Sequence, residues 1–111
     1  MTSFFRTIVL AGLLTAAPLW AKPITYQVDS VHSHVGFSAL HLQLAEVDGR
    51  FNDFRGTVHW DDKNPANSKI QFSVKIDSVD TGNAKRDEHL KSDDFFSAEK
   101  FPTMTFTSTS I

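Results

Sequence analysis

Cysteine is absent from the 111-residue chain, which excludes disulfide frameworks, thiolate nucleophiles and cysteine-ligated zinc together. Glycine and proline number only 5 and 4, too few for a fibrous or low-complexity chain. There is no basic excess: 11 Lys and Arg stand against 13 Asp and Glu, which removes the electrostatic basis for wrapping nucleic acid or for polybasic adhesion to a membrane. No apolar run reaches the ~20 residues that a spanning helix needs. What is present is 41% apolar residues, 10 of them Phe, with 22% charged, the composition of one small folded domain.

The N-terminus differs from the rest. Arg6 is the single charge ahead of an uncharged stretch from Ile8 to Trp20, with Pro18 near its end and the small Ala21 after it. A short apolar segment behind one basic residue, closed by a small residue, predicts a secretory signal peptide over residues 1–21. Arg6 leaves with the peptide and no acid does, so 11 basic residues become 10 against 13 acids in the mature chain. Export without cysteine suits a bacterial periplasm, with no stable membrane insertion once the signal is removed.

Ile70, Phe72, Val74 and Ile76 alternate strictly with Gln71, Ser73, Lys75 and Asp77, the period-2 pattern of a strand with one wet face. Thr103 to Ile111 alternates as well, Met104 and Phe106 against threonines. Tyr26 to Val28, Val35 to Leu40 and Phe51 to Trp60 are three further β-rich runs, separated by turn-formers such as Asp48-Gly49 and the segment Asp61 to Ser68. Within the second run, Val35, Phe37 and Ala39 share a face. The predicted plan is a meander of antiparallel strands.

Only Asn83 to Lys91 reads as helical, being free of β-branched residues and rich in Ala, Lys, Arg, Glu and Leu. Its charges contradict the helix dipole, since Lys85 and Arg86 fall in the first turn, where acids are preferred. Two cations beside free backbone N–H groups make an anion pocket. Asp87 and Glu88 follow at once, and a solvated helix end explains the same residues.

These segments carry a resemblance. The blocks are Tyr26-Gln-Val-Asp29-Ser30-Val-His32-Ser33, Val35-Gly-Phe37, Gly49-Arg-Phe51-Asn-Asp-Phe54-Arg-Gly56, Ser78-Val79-Asp80-Thr81, Arg86-Asp87-Glu-His89-Leu90-Lys-Ser92-Asp93-Asp-Phe95-Phe96 and Phe101-Pro102-Thr-Met-Thr-Phe106-Thr-Ser108. Over residues 24–111 the chain resembles the YceI family of periplasmic, lipocalin-like proteins. The resemblance implies a mainly β fold, an antiparallel β-barrel with one short helix, whose apolar interior holds a polyisoprenoid such as an isoprenoid quinone or a polyprenyl diphosphate. It also implies that the chain stops short of the hairpins that close the barrel. Residues 22–111 would then be the N-terminal portion of the lipid-binding domain, an open curved sheet whose exposed edge can pair with a second copy into a homodimer. Periodicity alone names no ligand.

The expected function is a non-enzymatic periplasmic carrier of polyisoprenoid lipid, with no cofactor besides the bound lipid. The alternative is a stress-related or interaction protein that acts through an exposed sheet edge without lipid. Arg86, His89 and Lys91, with His32, are the expected head-group contacts. Phe37, Phe54, Phe72, Val74, Ile76 and Phe106 are the expected apolar wall, although for Phe72, Val74 and Ile76 core and ligand wall are the same inward face of a barrel. His32 and His34 are two apart with His41 further on, but zinc needs three or four converging ligands, and no metal is expected. No Gly-x-Ser-x-Gly elbow is present to make a serine nucleophile. Export has a direct test: the mass of the intact protein from its native host is expected to lack residues 1–21, and a full-length mass in the cytosolic fraction rejects the assignment.

Overall fold

The computed structural model describes residues 22–111, so the signal peptide expected over 1–21 lies outside the described residues. The chain forms seven strands and one helix: β1 Ile24–Gln27, β2 Val35–His41, β3 Ala45–Phe51, β4 Phe54–Trp60, β5 Lys69–Lys75, β6 Val79–Asp80, α1 Ala84–Lys91 and β7 Thr103–Thr107. They make two antiparallel sheets, one of order β1-β4-β5-β7 and one of order β2-β3-β6. The sheets do not close into a barrel among the described residues, so the open arrangement is the one observed.

The alternation read in the fifth strand holds in space. Val74 is buried and Ile70 and Phe72 half-buried, while Lys69, Gln71 and Lys75 are exposed. The ladder stops at Lys75, two residues before the alternation ends at Asp77: Pro102, opposite Ile76, accepts from the Ile76 amide (3.0 Å) but has no N–H to return, and residues 76–78 coil into a 3-10 turn. Ile76 stays buried all the same.

The core sits where the chain passes between the sheets. Phe51 ends β3 and Phe54 begins β4, and both are buried with Val74, Ile76, Val79 and Ala98. The two residues between them are clasped by the second crossing: the Asn52 amide donates to the Ser78 carbonyl (3.1 Å) and the Lys75 amide to the Asp53 carbonyl (2.9 Å). A Lys75–Asp53 ion pair at 3.4 Å closes the outer side.

One predicted turn is corrected. Asp48 and Gly49 lie inside β3, opposite Ser38 and Phe37. The reversal occurs earlier, at Leu42 and Gln43, both with left-handed φ (51° and 58°), closed by the Leu44 amide on the His41 carbonyl. The loop passes through two consecutive left-handed residues, a conformation that Asn and Gly adopt most readily. Nothing in Leu-Gln announces it, and the predicted runs contain no strand over residues 45–50.

Gly49 has a packing reason instead. A Cβ at this position would fall inside the Phe37 ring, which lies across the strand. Gly56 repeats the device in the other sheet, where a Cβ would come within 2.7 Å of both Phe72 Cε1 and Val28 Cγ2. Replacing Gly56 by Ala is expected to overpack this site and cost about 1–3 kcal/mol, read as a lower urea midpoint. Adding Phe72→Leu to that variant should recover part of the loss, and equal midpoints for Gly56→Ala and the parent would contradict the packing account.

Candidate functional site

The inward face of β2 leads directly to two clefts. Val35, Phe37, Ala39 and His41 occupy alternate positions and so share that face. At one end Val35 joins Phe72, Val74, Met104, Thr105 and Phe106 around a cleft of about 360 Å³. At the other, Phe37, Ala39 and His41 join Val47 of β3 and Leu90 and Phe95 around a cleft of about 570 Å³ between the hairpin and α1. Both volumes fall in the range of small-molecule sites, roughly 300–1,000 Å³. The rings of Phe37, Phe51 and Phe96, the first pair tilted and the second edge-on with centroids 5.7 and 5.9 Å apart, connect the larger cleft to the core.

The rim of the larger cleft is basic. Lys85, Arg86 and His89 line it together with Thr81 and His41. The local fold explains how they come there. Asn83 caps α1 by accepting from the Arg86 amide at 3.0 Å, which sets the first turn against β6. Thr81 is then saturated: its amide and hydroxyl donate to Asp87 Oδ1 (2.9 and 2.6 Å), its hydroxyl accepts from Arg86 Nε (2.7 Å) and its carbonyl from an Arg86 Nη (2.6 Å). Arg86 is thus partly a clamp on its own loop. The Lys85 side chain, by contrast, has no hydrogen bond or ion pair to any described residue.

His89 stands edge-on to Phe95, ring centroids 5.0 Å apart, and its Nε2 lies 3.0 Å from Asp94 Oδ2. The remaining expected head-group residues lie elsewhere. Lys91 faces a separate acidic depression with Asp77, Glu88, Asp93 and Glu99 and pairs with Glu88 at 3.7 Å. His32 lies in the turn after β1, 2.6 Å from Asp29; this contact first, and then the Val31 amide, hold the Asp29 carboxyl below the usual carboxylate range. Across β3 and β6, the Gly82 amide and then Asn52 hold the Asp80 carboxyl low, fixing the bend that leads into α1.

The expected apolar wall divides three ways. Phe37 lines the larger cleft, Phe72, Val74 and Phe106 the smaller one, and Phe54 and Ile76 belong to the core. His41, Val47, Leu90 and Phe95 also line the larger cleft without having been among the expected contacts, and Lys85, read from the sequence as half of the first-turn cation pair, lines it where Lys91 does not. One further step of the Val35-Phe37-Ala39 alternation reaches His41; Phe95 has no periodic signal and arrives through the turn after α1. Among the described residues no three His, Asp or Glu side chains gather as a metal site, and no helix is long and apolar enough to cross a membrane.

With this geometry established, comparison with known proteins is decisive. The family model of the YceI-like domain matches residues 26–111. The chain belongs to the YceI family. A UPF0312 protein of Photorhabdus laumondii is 40% identical over 101 residues, covering 91% of this chain and 53% of the relative. Protein YceI of Salmonella newport is 43% identical over 103 residues, covering 92% and 54%. The chain therefore spans about half the length of the curated YceI-family relatives it matches. Among solved structures, Burkholderia cenocepacia BcnA superposes with a TM-score of 0.68 at 27% identity, over 76% of this chain and 52% of that one.

The Thr81 network carries a prediction of its own. Asp87→Ala strips two acceptor contacts from a half-buried threonine and is expected to cost about 1–2 kcal/mol, the range for bonds to a charged group that is not fully buried. Thermal melting measures it, and an unchanged midpoint would show that the network does not hold the 81–87 segment.

Proposed function

We propose that the chain is the lipid-binding portion of a periplasmic carrier for polyisoprenoids, with the prenyl tail in the β2/α1 cleft and the polar head at its rim. The observation that carries this is the pairing of apolar walls with a lysine whose side chain has no partner among the described residues: the walls are Phe37, Ala39, Val47, Leu90 and Phe95, and the cation is Lys85. Burial of an alkyl tail on such walls is favourable by about 25 cal/mol per Å² removed from water. A phosphate or diphosphate gives Lys85 the partner it lacks, with Arg86 offering its remaining N–H groups and His89 a third contact. The face of β2 continues to the smaller cleft, where Phe72, Val74 and Phe106 extend the apolar wall for a longer chain. Lys91 and His32, which face other surfaces, have no part in this site, and the function is binding without covalent chemistry.

A second reading, self-association without lipid, is favoured by β7, whose five residues are all exposed, Met104 and Phe106 included. Native mass spectrometry of the exported protein separates the two: one chain carrying a prenyl lipid supports the carrier, an empty doubled mass the association.

Lys85→Ala is the sharper test, because it touches none of the Thr81 bonds. Lys85 is exposed, so its pairing with a phosphate is worth about 1 kcal/mol at most, or roughly fivefold in Kd. Titration with a prenyl diphosphate should show that loss and a prenyl quinone of equal tail length should not. Equal weakening of both ligands, or of neither, rules out the rim as a head-group site.

A further inference from the structure

Two glycines sit inside strands where the backbone does not call for them. Gly49 lies within β3 and Gly56 within β4, and neither has the left-handed φ that Gly82 has. Glycine in a strand interior weakens the strand and often marks a place where something else must approach closely. Here each is the direct cross-strand partner of a phenylalanine, Gly49 of Phe37 and Gly56 of Phe72. In both places the ring takes the room of the missing Cβ, which would stand 2.3 Å from Phe37 Cζ and 2.7 Å from Phe72 Cε1.

The two rings belong to different clefts, Phe37 to the larger and Phe72 to the smaller. The clefts follow one another along the inward face of β2, which runs from His41 and Phe37 at the larger to Val35 at the smaller. His41 and Val35 are six positions apart, roughly 20 Å along a strand. With C–C bonds of about 1.5 Å, an extended prenyl tail covers that distance at about four isoprene units. A shorter tail anchored at the basic rim ends beside Phe37, and only a longer one arrives at Phe72.

We infer that Gly49 and Gly56 are specificity-determining positions for tail length. Gly49 seats the ring in the cleft that every tail enters, and Gly56 seats the ring in the cleft that only longer tails reach. The inference rests on the carrier reading for its ligand and adds which tails are preferred and what selects them. A tail gains in proportion to the apolar surface it removes from water, so displacing one ring withdraws the gain only from the part of the tail that lies against it.

The test is titration of the full chain with geranyl, farnesyl and geranylgeranyl diphosphate, which carry one head group on tails of increasing length. The parent is expected to bind geranylgeranyl diphosphate about tenfold more tightly than farnesyl diphosphate, the order of effect of laying part of an isoprene unit on an apolar wall. Gly56→Ala should abolish that step while geranyl and farnesyl diphosphate bind as to the parent, and Gly49→Ala should weaken all three. Adding Phe72→Leu to Gly56→Ala should restore the step, which a loss of stability alone would not make dependent on tail length. Met104→Gln, a polar group placed in the smaller cleft from the exposed strand β7 with both glycines intact, should abolish the step as well. Equal weakening of the three ligands by Gly56→Ala, no change in any of them, or a step that survives Met104→Gln overturns the inference. A parent that binds all three without a step removes the inference and leaves the carrier reading standing, and a parent that binds none removes both.

Discussion

The structure depends on the corner where the chain crosses between its sheets. Phe51 and Phe54 are buried and the two residues between them are exposed, so the backbone must turn from one sheet to the other in a single short step. Such a turn strands amides and carbonyls that cannot remain unpaired beside a core. They are satisfied by the second crossing, through Asn52 to Ser78 and Lys75 to Asp53. The 3-10 turn at residues 76–78 brings the Ser78 carbonyl to the Asn52 amide and leaves Ile76 buried beside the corner. With six hydrophobic residues buried among the described residues, the clasp and the aromatic contacts have to define one arrangement where bulk burial alone would allow several.

The clefts are a consequence of how little side chain that core contains. Phe37 and Phe72 each fold across a glycine on the neighbouring strand, which draws the ring down onto the sheet and leaves space above it. A Cβ at Gly49 would displace the Phe37 ring, which lines the larger cleft, so the packing device and the cleft wall are one feature. The sequence alternation on β2 specifies both, since the residues that contact the core and the residues that line the clefts are on the same face.

Legibility varied with the physical origin of each element. Strand β5 could be read directly because one face is wet and the other dry along its length, and the N-cap and residues of α1 are local signals that Asn83 and the following turn satisfy. The β2/β3 hairpin could not, because Leu42 and Gln43 adopt a turn that their types disfavour, and Gly49 answers to Phe37 across the strand and not to its own neighbours. Phe54 and Ile76 could not be distinguished from cleft residues by alternation, since core and cleft occupy successive positions on a common surface. Their assignment required knowing where the second sheet lies.

The basic first turn of α1 shows why a site can be located from sequence before its members can be ranked. Lys85 and Arg86 both contradict the helix dipole, and that contradiction directs attention to this end of the helix, where both line the larger cleft. Folding resolves it for only one of them: the Arg86 guanidinium is oriented by the hydroxyl and carbonyl of Thr81, whose own donors are taken by Asp87. Those bonds join residues five and six apart and exist only after the bend at Asp80–Gly82 has formed. Lys85, one position earlier, points from the same turn to the cleft with no such partner, so the electrostatic conflict that persists in the folded chain is concentrated on it. A lysine in that position contributes little to stability, and its cost relative to an acid in the first turn is best offset by an anion arriving from outside.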